Sequence, residues 1–268
     1  MAPDSPPPLD RYRGFALDID GVLVRGRTPL SGAAKALARL RKIGPVVLLT
    51  NNSTRSRQAA AAGLTERGLP VAPDEMIPSS FVAARYLADA HGAVRFWYLG
   101  EEGIRQEMAL AGHVLVEPSA AEWMVVGMDR SLTYAKLDQA LQTLLSGARL
   151  LATNRDATYP TEQGLVPGGG AVVGALEGMG FPVEVVVGKP SPIAYRIALE
   201  ALRVAPEEAL MIGDRLETDI AGGQGMGMDT ALVLSGISTV ADIERAGLRP
   251  TWIAEDLLAL VRGEICAA

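Results

Sequence analysis

The most informative stretch of the chain is residues 14–22, Gly-Phe-Ala-Leu-Asp-Ile-Asp-Gly-Val. Its first four residues are apolar and predict a buried strand. Asp18 and Asp20 come next, and strand alternation would point both carboxylates to the same side, while Gly21 lets the backbone turn. Charge beside an apolar sheet is costly unless it is paired or bound to a metal. The stretch therefore suits a metal-assisted carboxylate nucleophile with an acid/base partner.

Short apolar runs alternate with Ala- and Leu-rich helical stretches along the rest of the chain. Strand–helix–strand order with unbroken β-branched runs is typical of an α/β fold, in which parallel sheets are covered by helices. The 268 residues suggest two domains. Pro- and Gly-containing segments flank the middle of the chain, and the strong motifs lie outside it. We therefore expect an outer domain of residues 1–79 and 183–268, with residues 80–182 inserted as a second domain.

Composition argues against several classes of partner. The net charge is −6 and Lys and Arg do not cluster, so no nucleic-acid surface is expected. No apolar run approaches the roughly 18 to 20 residues of a membrane span, so no membrane partner is expected. The single cysteine, Cys266, excludes an internal disulfide. The Pro-rich start, Met1 to Pro8, does not resemble a signal peptide, and we expect a cytoplasmic protein.

A second apolar run, residues 46–49, ends in the polar residues Thr50, Asn51 and Asn52. In open α/β sheets, ligands collect at the carboxyl ends of strands. A Thr hydroxyl and the backbone N–H groups after it would hold phosphate oxygens at such a place. The same residues are also good N-caps, so this segment taken alone favours an ordinary strand-to-helix turn.

Two later segments carry further charge at predicted strand ends. Lys189 follows a Val-rich run and would offset charge on a nucleophile or a phosphate, unless it is a solvated surface lysine. Asp214 ends another apolar run, and Asp219 follows near a helix start, where it would also serve as a cap. Oxygen ligands from Asp18, Asp214 and a backbone carbonyl, with waters and a phosphate oxygen, are typical of a Mg²⁺ site.

The order of these motifs resembles that of the haloacid-dehalogenase-like phosphohydrolases. Their surroundings resemble the branch that contains NagD-like proteins, p-nitrophenyl phosphatases and phosphoglycolate phosphatases. This resemblance implies a Rossmann-like parallel-sheet core with an inserted α/β cap domain, and residues 152–156 are similar to part of that cap. The motifs are Asp18-x-Asp20-Gly21, Thr50-Asn51, Lys189-Pro190 and Gly213-Asp214-x-x-x-x-Asp219.

The resemblance assigns catalytic roles to individual residues. Asp18 would attack phosphorus and form an aspartyl-phosphate, and Asp20 would protonate the leaving alkoxide and then help to activate water. Thr50 would hold the phosphoryl group, and Lys189 would neutralise its charge. The implied cofactor is Mg²⁺, for which the candidate ligands are Asp18, Asp20, Asp214 and Asp219.

Further residues are candidates for binding substrate. Asn51 and Asn52 would contribute with Thr50 and Lys189. Asn154 and Asp156 would either contact the substrate or organise a turn. Tyr159 would form a platform for the leaving group, or is simply a half-buried aromatic residue.

The sequence therefore predicts a Mg²⁺-dependent phosphatase that hydrolyses a small phosphate monoester. A phosphotransferase or mutase on the same scaffold is one alternative, and a non-catalytic phosphometabolite-binding protein is another. Asp20 argues against a dehalogenase, because phosphatase chemistry needs it as a proton donor. A homodimer is possible, since cap-to-cap dimers occur in similar proteins. The physiological substrate stays open.

Overall fold

The computed structural model describes residues 9–161 and 163–265, so the Pro-rich start and Cys266 lie outside the described residues. Contacts divide the chain into two compact units. The first unit comprises residues up to Leu49, Ala61–Met76 and residues from Ala194 onwards. The second unit comprises Thr50–Ala60 and Ile77–Ile193, and residues 80–182 fall entirely within it.

The described residues form fifteen strands and ten α-helices. The strands are β1 (Gly14–Leu17), β2 (Val24–Arg25), β3 (Thr28–Pro29), β4 (Val46–Thr50), β5 (Met76–Pro78), β6 (Arg95–Leu99), β7 (Val114–Leu115), β8 (Trp123–Val126), β9 (Arg149–Ala152), β10 (Thr158–Thr161), β11 (Gly164–Pro167), β12 (Val185–Val186), β13 (Ala209–Gly213), β14 (Asp229–Val233) and β15 (Trp252–Ala254). The helices are α1 (Ala33–Ile43), α2 (Arg57–Thr65), α3 (Ser79–His91), α4 (Glu102–Leu110), α5 (Tyr134–Leu145), α6 (Gly169–Gly178), α7 (Pro192–Leu202), α8 (Ala221–Gly225), α9 (Val240–Ala246) and α10 (Leu257–Arg262). No helix in the described ranges has the length and apolar character needed to span a bilayer.

The larger sheet has six strands in the order β15-β14-β13-β1-β4-β5. Strand β1 pairs in parallel with both β13 and β4, and every residue of β1 and β13 is buried. Leu17 is the register partner of Ile212, and the Asp18 N–H continues the ladder to the Ile212 carbonyl at 2.9 Å. Because parallel strands end at the same edge, the residues after β1 and β13 meet there.

The second unit contains a parallel five-stranded sheet in the order β12-β9-β8-β6-β7. Strands β8 and β9 are almost entirely buried, as expected for the centre of a parallel sheet covered on both faces, whereas β6 buries only Phe96 and Leu99 fully. One face packs α5 and α6 through a buried cluster that includes Met124, Val126, Leu150, Val173 and Leu176. The chain also forms two antiparallel hairpins, β2–β3 and β10–β11.

These parallel sheets and their helices confirm the predicted α/β fold class. One local expectation is wrong, because β1 ends at Leu17. Strand alternation therefore cannot orient Asp18 and Asp20 together, since both lie beyond the strand.

Candidate active site

Three carboxylates converge at the carboxyl edge of the larger sheet. Asp18 follows β1, Asp214 follows β13, and Asp219 lies in a π-helical turn, Leu216–Ile220. One carboxylate oxygen of each residue lies within 4.8 Å of the other two, and all three residues are buried. Like charges this close and this buried are unfavourable unless a cation or a proton offsets them. Since carboxylate oxygens are the ligands that Mg²⁺ prefers, the residues present fit that ion.

Backbone N–H groups hold two of these carboxylates, those of Asp214 and Asp219, in place. The Asp219 Oδ2 accepts hydrogen bonds from the N–H groups of Asp214, at 3.2 Å, and Arg215, at 3.0 Å. The Asp214 Oδ2 accepts one from the Ile237 N–H at 2.8 Å. The Ser238 N–H donates to the Asp214 carbonyl at 3.0 Å. Asp219 therefore fixes the turn that carries Asp214, independently of any role as a metal ligand.

Two glycines allow the backbone to approach Asp214 closely. Gly21 has a φ of +84°, and a Cβ at that position would overlap the Asp214 carboxylate. A Cβ on Gly236 would overlap the same carboxylate. The Ser235 hydroxyl donates to the Gly21 carbonyl at 2.6 Å and joins the two loops. The space around this carboxylate therefore excludes side chains at both positions.

Asp20 lies in a tight turn after β1. The Gly21 N–H donates to the Val24 carbonyl at 2.7 Å, and Asp20 forms an isolated parallel bridge with Val24. Asp20 is half-buried, whereas Asp18 is buried. The group of three converging carboxylates does not include Asp20. The turn thus gives Asp18 and Asp20 different surroundings although only one residue separates them.

Asn51 is the centre of a hydrogen-bond network within the second unit. Its Nδ2 donates to both carboxylate oxygens of Asp156, at 3.0 and 3.2 Å, and to the Lys189 carbonyl at 3.0 Å. Its own carbonyl accepts from the Ser79 hydroxyl at 2.6 Å and from the Asn154 Nδ2 at 2.8 Å. One buried side chain therefore connects segments that are far apart in the sequence.

Thr50 and Asn52 form the turn after β4. The Asn52 N–H donates to the Thr50 hydroxyl at 3.1 Å, and the Asn52 Oδ1 accepts from the Thr54 N–H at 3.0 Å. The Asn52 Nδ2 donates to the Tyr159 hydroxyl at 3.3 Å. The turn predicted as one interpretation of residues 50–52 is therefore present. Tyr159 is half-buried, and its hydroxyl makes a polar contact with Asn52.

Asn154 and Lys189 have surroundings that the sequence did not define. The Asn154 Oδ1 accepts the Asp156 N–H at 3.0 Å, so Asn154 organises the turn that presents Asp156. Lys189 is only 4% exposed, so its interpretation as a solvated surface lysine is wrong. A buried lysine needs nearby acceptors or anions to remain charged.

Sequence reasoning missed several residues at these sites. Gly236 and Ser238 border Asp214, and Ser79 fixes the Asn51 carbonyl. A usable signal existed for the first two, because residues 234–239 read Leu-Ser-Gly-Ile-Ser-Thr directly after the apolar run of β14. Small polar residues after a strand are the same pattern that identified Thr50.

Comparisons with known proteins agree with this geometry. Two family models match, one described as haloacid dehalogenase-like hydrolase over residues 15–114 and one as HAD-hydrolase-like over residues 186–260. An acid sugar phosphatase of Staphylococcus saprophyticus is 31% identical over 255 residues, which cover 95% of this chain and 98% of the relative.

Solved structures extend the likeness to the whole fold. A p-nitrophenyl phosphatase from Archaeoglobus fulgidus has a TM-score of 0.88 and 35% identity, and the match covers 94% of this chain and 98% of that one. A glycerol phosphate phosphatase from Mycobacterium tuberculosis, solved in complex with calcium, has a TM-score of 0.86 and 32% identity over 94% of this chain and 75% of that one. The chain belongs to the haloacid-dehalogenase-like hydrolases, in their NagD-like and p-nitrophenyl phosphatase branch.

Proposed function

We propose that this chain is a Mg²⁺-dependent phosphatase that hydrolyses a small phosphate monoester through an aspartyl-phosphate intermediate. The observation that carries the proposal is the buried group of Asp18, Asp214 and Asp219. Relatives of this chain are named as phosphatases of sugar phosphates, p-nitrophenyl phosphate and glycerol phosphate, which supports a phosphate ester as the substrate.

Asp18 and Asp214 are the proposed principal ligands of the cation. Asp20 would contribute its backbone carbonyl, which leaves its carboxyl group available to carry a proton, and Asp219 would support Asp214. When bound, Mg²⁺ would neutralise charge on the carboxylates and on the phosphoryl oxygens. The calcium bound by the mycobacterial relative supports a divalent cation in this family.

In the first proposed step, a carboxylate oxygen of Asp18 forms a bond to phosphorus while the bond to the ester oxygen breaks. Asp20, protonated at the start, gives its proton to that leaving oxygen. Asp18 is suited to act as the nucleophile because it is buried and its backbone N–H is bonded to the Ile212 carbonyl near the end of β13. Asp20 is suited to transfer protons because it is only half-buried and can exchange them with water.

In the second step, water attacks the phosphorus of the aspartyl-phosphate. Asp20, now ionised, takes a proton from that water while the bond between phosphorus and Asp18 breaks. Inorganic phosphate leaves and Asp18 is free again. The same carboxyl group thus acts as an acid and then as a base, which leaves the enzyme unchanged over one cycle.

Thr50, Asn51 and Lys189 keep the roles predicted from the sequence, namely holding the phosphoryl oxygens and neutralising their charge. Phosphoryl transfer passes through a loose, highly charged transition state, so positioning and charge neutralisation supply most of the rate enhancement. The network around Asn51 supports a positioning role, because it fixes the segment that carries Thr50.

The test is an assay of the purified chain on p-nitrophenyl phosphate with Mg²⁺ and then with excess chelator. We expect turnover with Mg²⁺, loss of turnover with chelator, and recovery when Mg²⁺ is restored. Added acceptor alcohols should not divert the phosphoryl group, which would otherwise indicate a phosphotransferase. A folded chain that binds phosphate esters but turns none of them over would contradict the proposal.

A further inference from the structure

The turn that carries Asp219 is a single π-helical turn, Leu216–Ile220, which leads directly into α8. The Asp219 N–H, at 3.0 Å, and the Ile220 N–H, at 3.2 Å, both donate to the Arg215 carbonyl. The π-helix is rare and occurs mostly as single turns within or beside α-helices, often at functional sites. Because an ordinary α-helix is the favoured conformation, contacts from outside the turn are expected to hold it.

Tyr195 makes such a contact. It lies on α7 and is completely buried. The Tyr195 hydroxyl donates to the Thr218 carbonyl at 2.6 Å, and the Asp219 carbonyl lies 3.2 Å from the same hydroxyl oxygen. One side chain thus reaches two consecutive peptide groups of the π-helical turn. Since a buried carbonyl that loses its hydrogen-bond donor is destabilising, the hydroxyl keeps these peptide groups in place.

Two glycines leave room for this arrangement. A Cβ on Gly222, in α8, would overlap the Tyr195 ring. A Cβ on Gly213, the last residue of β13, would overlap the Asp219 carboxylate. The lack of a side chain at each position therefore lets the ring approach the turn and lets the carboxylate approach the end of the strand. These four residues all belong to the first unit.

The position of the turn decides where the Asp219 carboxylate lies. Its Oδ2 accepts from the N–H groups of Asp214 and Arg215, and one of its oxygens lies within 4.8 Å of the facing oxygens of Asp18 and Asp214. A continuous series of contacts therefore joins the Tyr195 hydroxyl, the Asp219 backbone and the converging carboxylates. Loss of a group that orients metal ligands typically lowers metal affinity by about 10- to 100-fold.

We propose that Tyr195 is a positioning residue for the divalent cation. Its hydroxyl fixes the π-helical turn, and thereby holds the Asp219 carboxylate in the geometry that binds the metal. This inference rests on the proposed function, because it assumes that the three carboxylates hold a cation. Tyr195 acts through the backbone of Asp219 and is not itself a ligand.

Tyr195→Phe removes only the hydroxyl and is the direct test. The Kd for Mg²⁺, measured by isothermal titration of the full chain, should rise about tenfold, at the low end of the range because Tyr195 acts through another residue. The Mg²⁺ concentration that gives half-maximal turnover of p-nitrophenyl phosphate should rise by the same factor. Saturating Mg²⁺ should restore kcat, because the bound cation then holds the carboxylates itself.

Tyr12→Phe is the matched control. Tyr12 is also buried in the first unit, and its hydroxyl donates to the Asp229 Oδ2 at 2.7 Å and accepts from the Trp252 Nε1 at 2.8 Å. Asp229 and Trp252 begin β14 and β15, so these bonds lie at the amino edge of the sheet, opposite the carboxylates. This variant should lose stability, as Tyr195→Phe does, but should keep the Mg²⁺ Kd of the unaltered chain.

The double variant Tyr195→Phe/Asp219→Ala tests whether the effect passes through Asp219. If it does, adding Tyr195→Phe to Asp219→Ala should raise the Mg²⁺ Kd by much less than tenfold, because residues that act through one another are not additive. A full tenfold rise in the Asp219→Ala background would show that Tyr195 acts by another route and would overturn the inference.

An unchanged Mg²⁺ Kd in Tyr195→Phe would also overturn it, as would an equal rise in Tyr195→Phe and Tyr12→Phe. If Tyr195→Phe does not fold, Gly222→Ala takes its place, since the added methyl group would displace the same ring. An unaltered chain that binds no Mg²⁺ would contradict the proposed function itself, and this inference with it. Normal Mg²⁺ binding and turnover in the unaltered chain, with no effect of Tyr195→Phe, would contradict this inference alone.

Discussion

Asp214 in the first unit and Asn51 in the second are both buried just after a strand, but different atoms hold them. Asp214 is held by backbone, through the Ile237 N–H and the turn that Asp219 fixes. Asn51 is held largely by other side chains, including Asp156. The first arrangement concentrates negative charge, whereas the second uses a neutral amide to orient its neighbours.

Because of this difference, we expect the carboxylates around Asp214 to act in the chemical step and the residues around Asn51 to position their neighbours. Backbone hydrogen bonds survive most substitutions, so a changed carboxylate in the first unit should alter reactivity and metal binding while the fold persists. Side-chain networks lose their geometry when one member is removed. Substitutions around Asn51 should therefore act through misplacement, with smaller effects on rate.

The largest expected effect is that of Asp18→Asn. The amide has the same shape but is a poor nucleophile, so kcat on p-nitrophenyl phosphate should fall by several powers of ten, each worth about 1.4 kcal/mol of barrier. The melting temperature should change little. Asp242→Asn, at a partly exposed carboxylate that caps α9 in the same unit, is the control and should retain turnover. Undiminished hydrolysis by Asp18→Asn would contradict the assignment of the chemical step to the carboxylates of the first unit.

The next effect concerns Asp214→Asn and is measured by thermal unfolding, independently of activity. Mg²⁺ at about 100 times its Kd should stabilise the unaltered chain by about 2.7 kcal/mol, and the variant should lose most of this gain. Without Mg²⁺ the variant should be at least as stable as the unaltered chain, because one of three neighbouring buried charges is gone. Equal stabilisation of both proteins by Mg²⁺ would contradict the assigned ligand.

Asn51→Ala should lower kcat/KM by about 10- to 100-fold, since small misplacements cost rate on that scale. Asp156→Ala should have a related effect. If the two residues act as one unit, the double variant should lose less than the product of the single losses. Fully independent effects would mean that the network does not position the segment after β4.

The smallest effect concerns stability rather than rate. Burial raises the pKa of Asp129, but hydrogen bonds from Lys136 and Ser131 lower it more, so the pKa lies below its usual value in the folded chain. A depressed carboxyl pKa stabilises the folded state above the unfolded pKa, and this stability disappears as the pH falls through the folded-state pKa. Asp129→Asn should cost about 1 to 3 kcal/mol near neutral pH.

Denaturant unfolding at about pH 6 and about pH 3 checks this prediction, because the unaltered chain should lose more stability than the variant between the two values. The same loss of stability in both proteins would show that this ion pair contributes nothing to the pH dependence.

Much of the fold was predictable because parallel sheets require long buried apolar runs, and β1, β4 and β13 are such runs. Strand β5 was missed because it has three residues and ends in Pro78. The hairpin β2–β3 has strands of only two residues, too short for alternation to be visible. Length and periodicity therefore limited the prediction of the fold.

At the candidate site, the types of residue were predictable and their surroundings were not. The positions of Asp18 and Asp214 follow from strand ends, but the adjacency of β1 and β13 is a tertiary property. The turn that separates Asp20 from Asp18 depends on where β1 ends, and strand ends are weakly encoded. The bonds of Asn51 to Asp156 and to the Lys189 carbonyl join three distant segments, which no local pattern reveals.

The central claim is that Asp18 becomes covalently phosphorylated during turnover. Acid quenching during hydrolysis, followed by borohydride reduction, converts an aspartyl-phosphate into homoserine, which peptide mass spectrometry can locate. We predict homoserine at position 18, dependent on substrate and on Mg²⁺, and none in Asp18→Asn. Homoserine at another aspartate, or full turnover with position 18 never modified, would contradict the account.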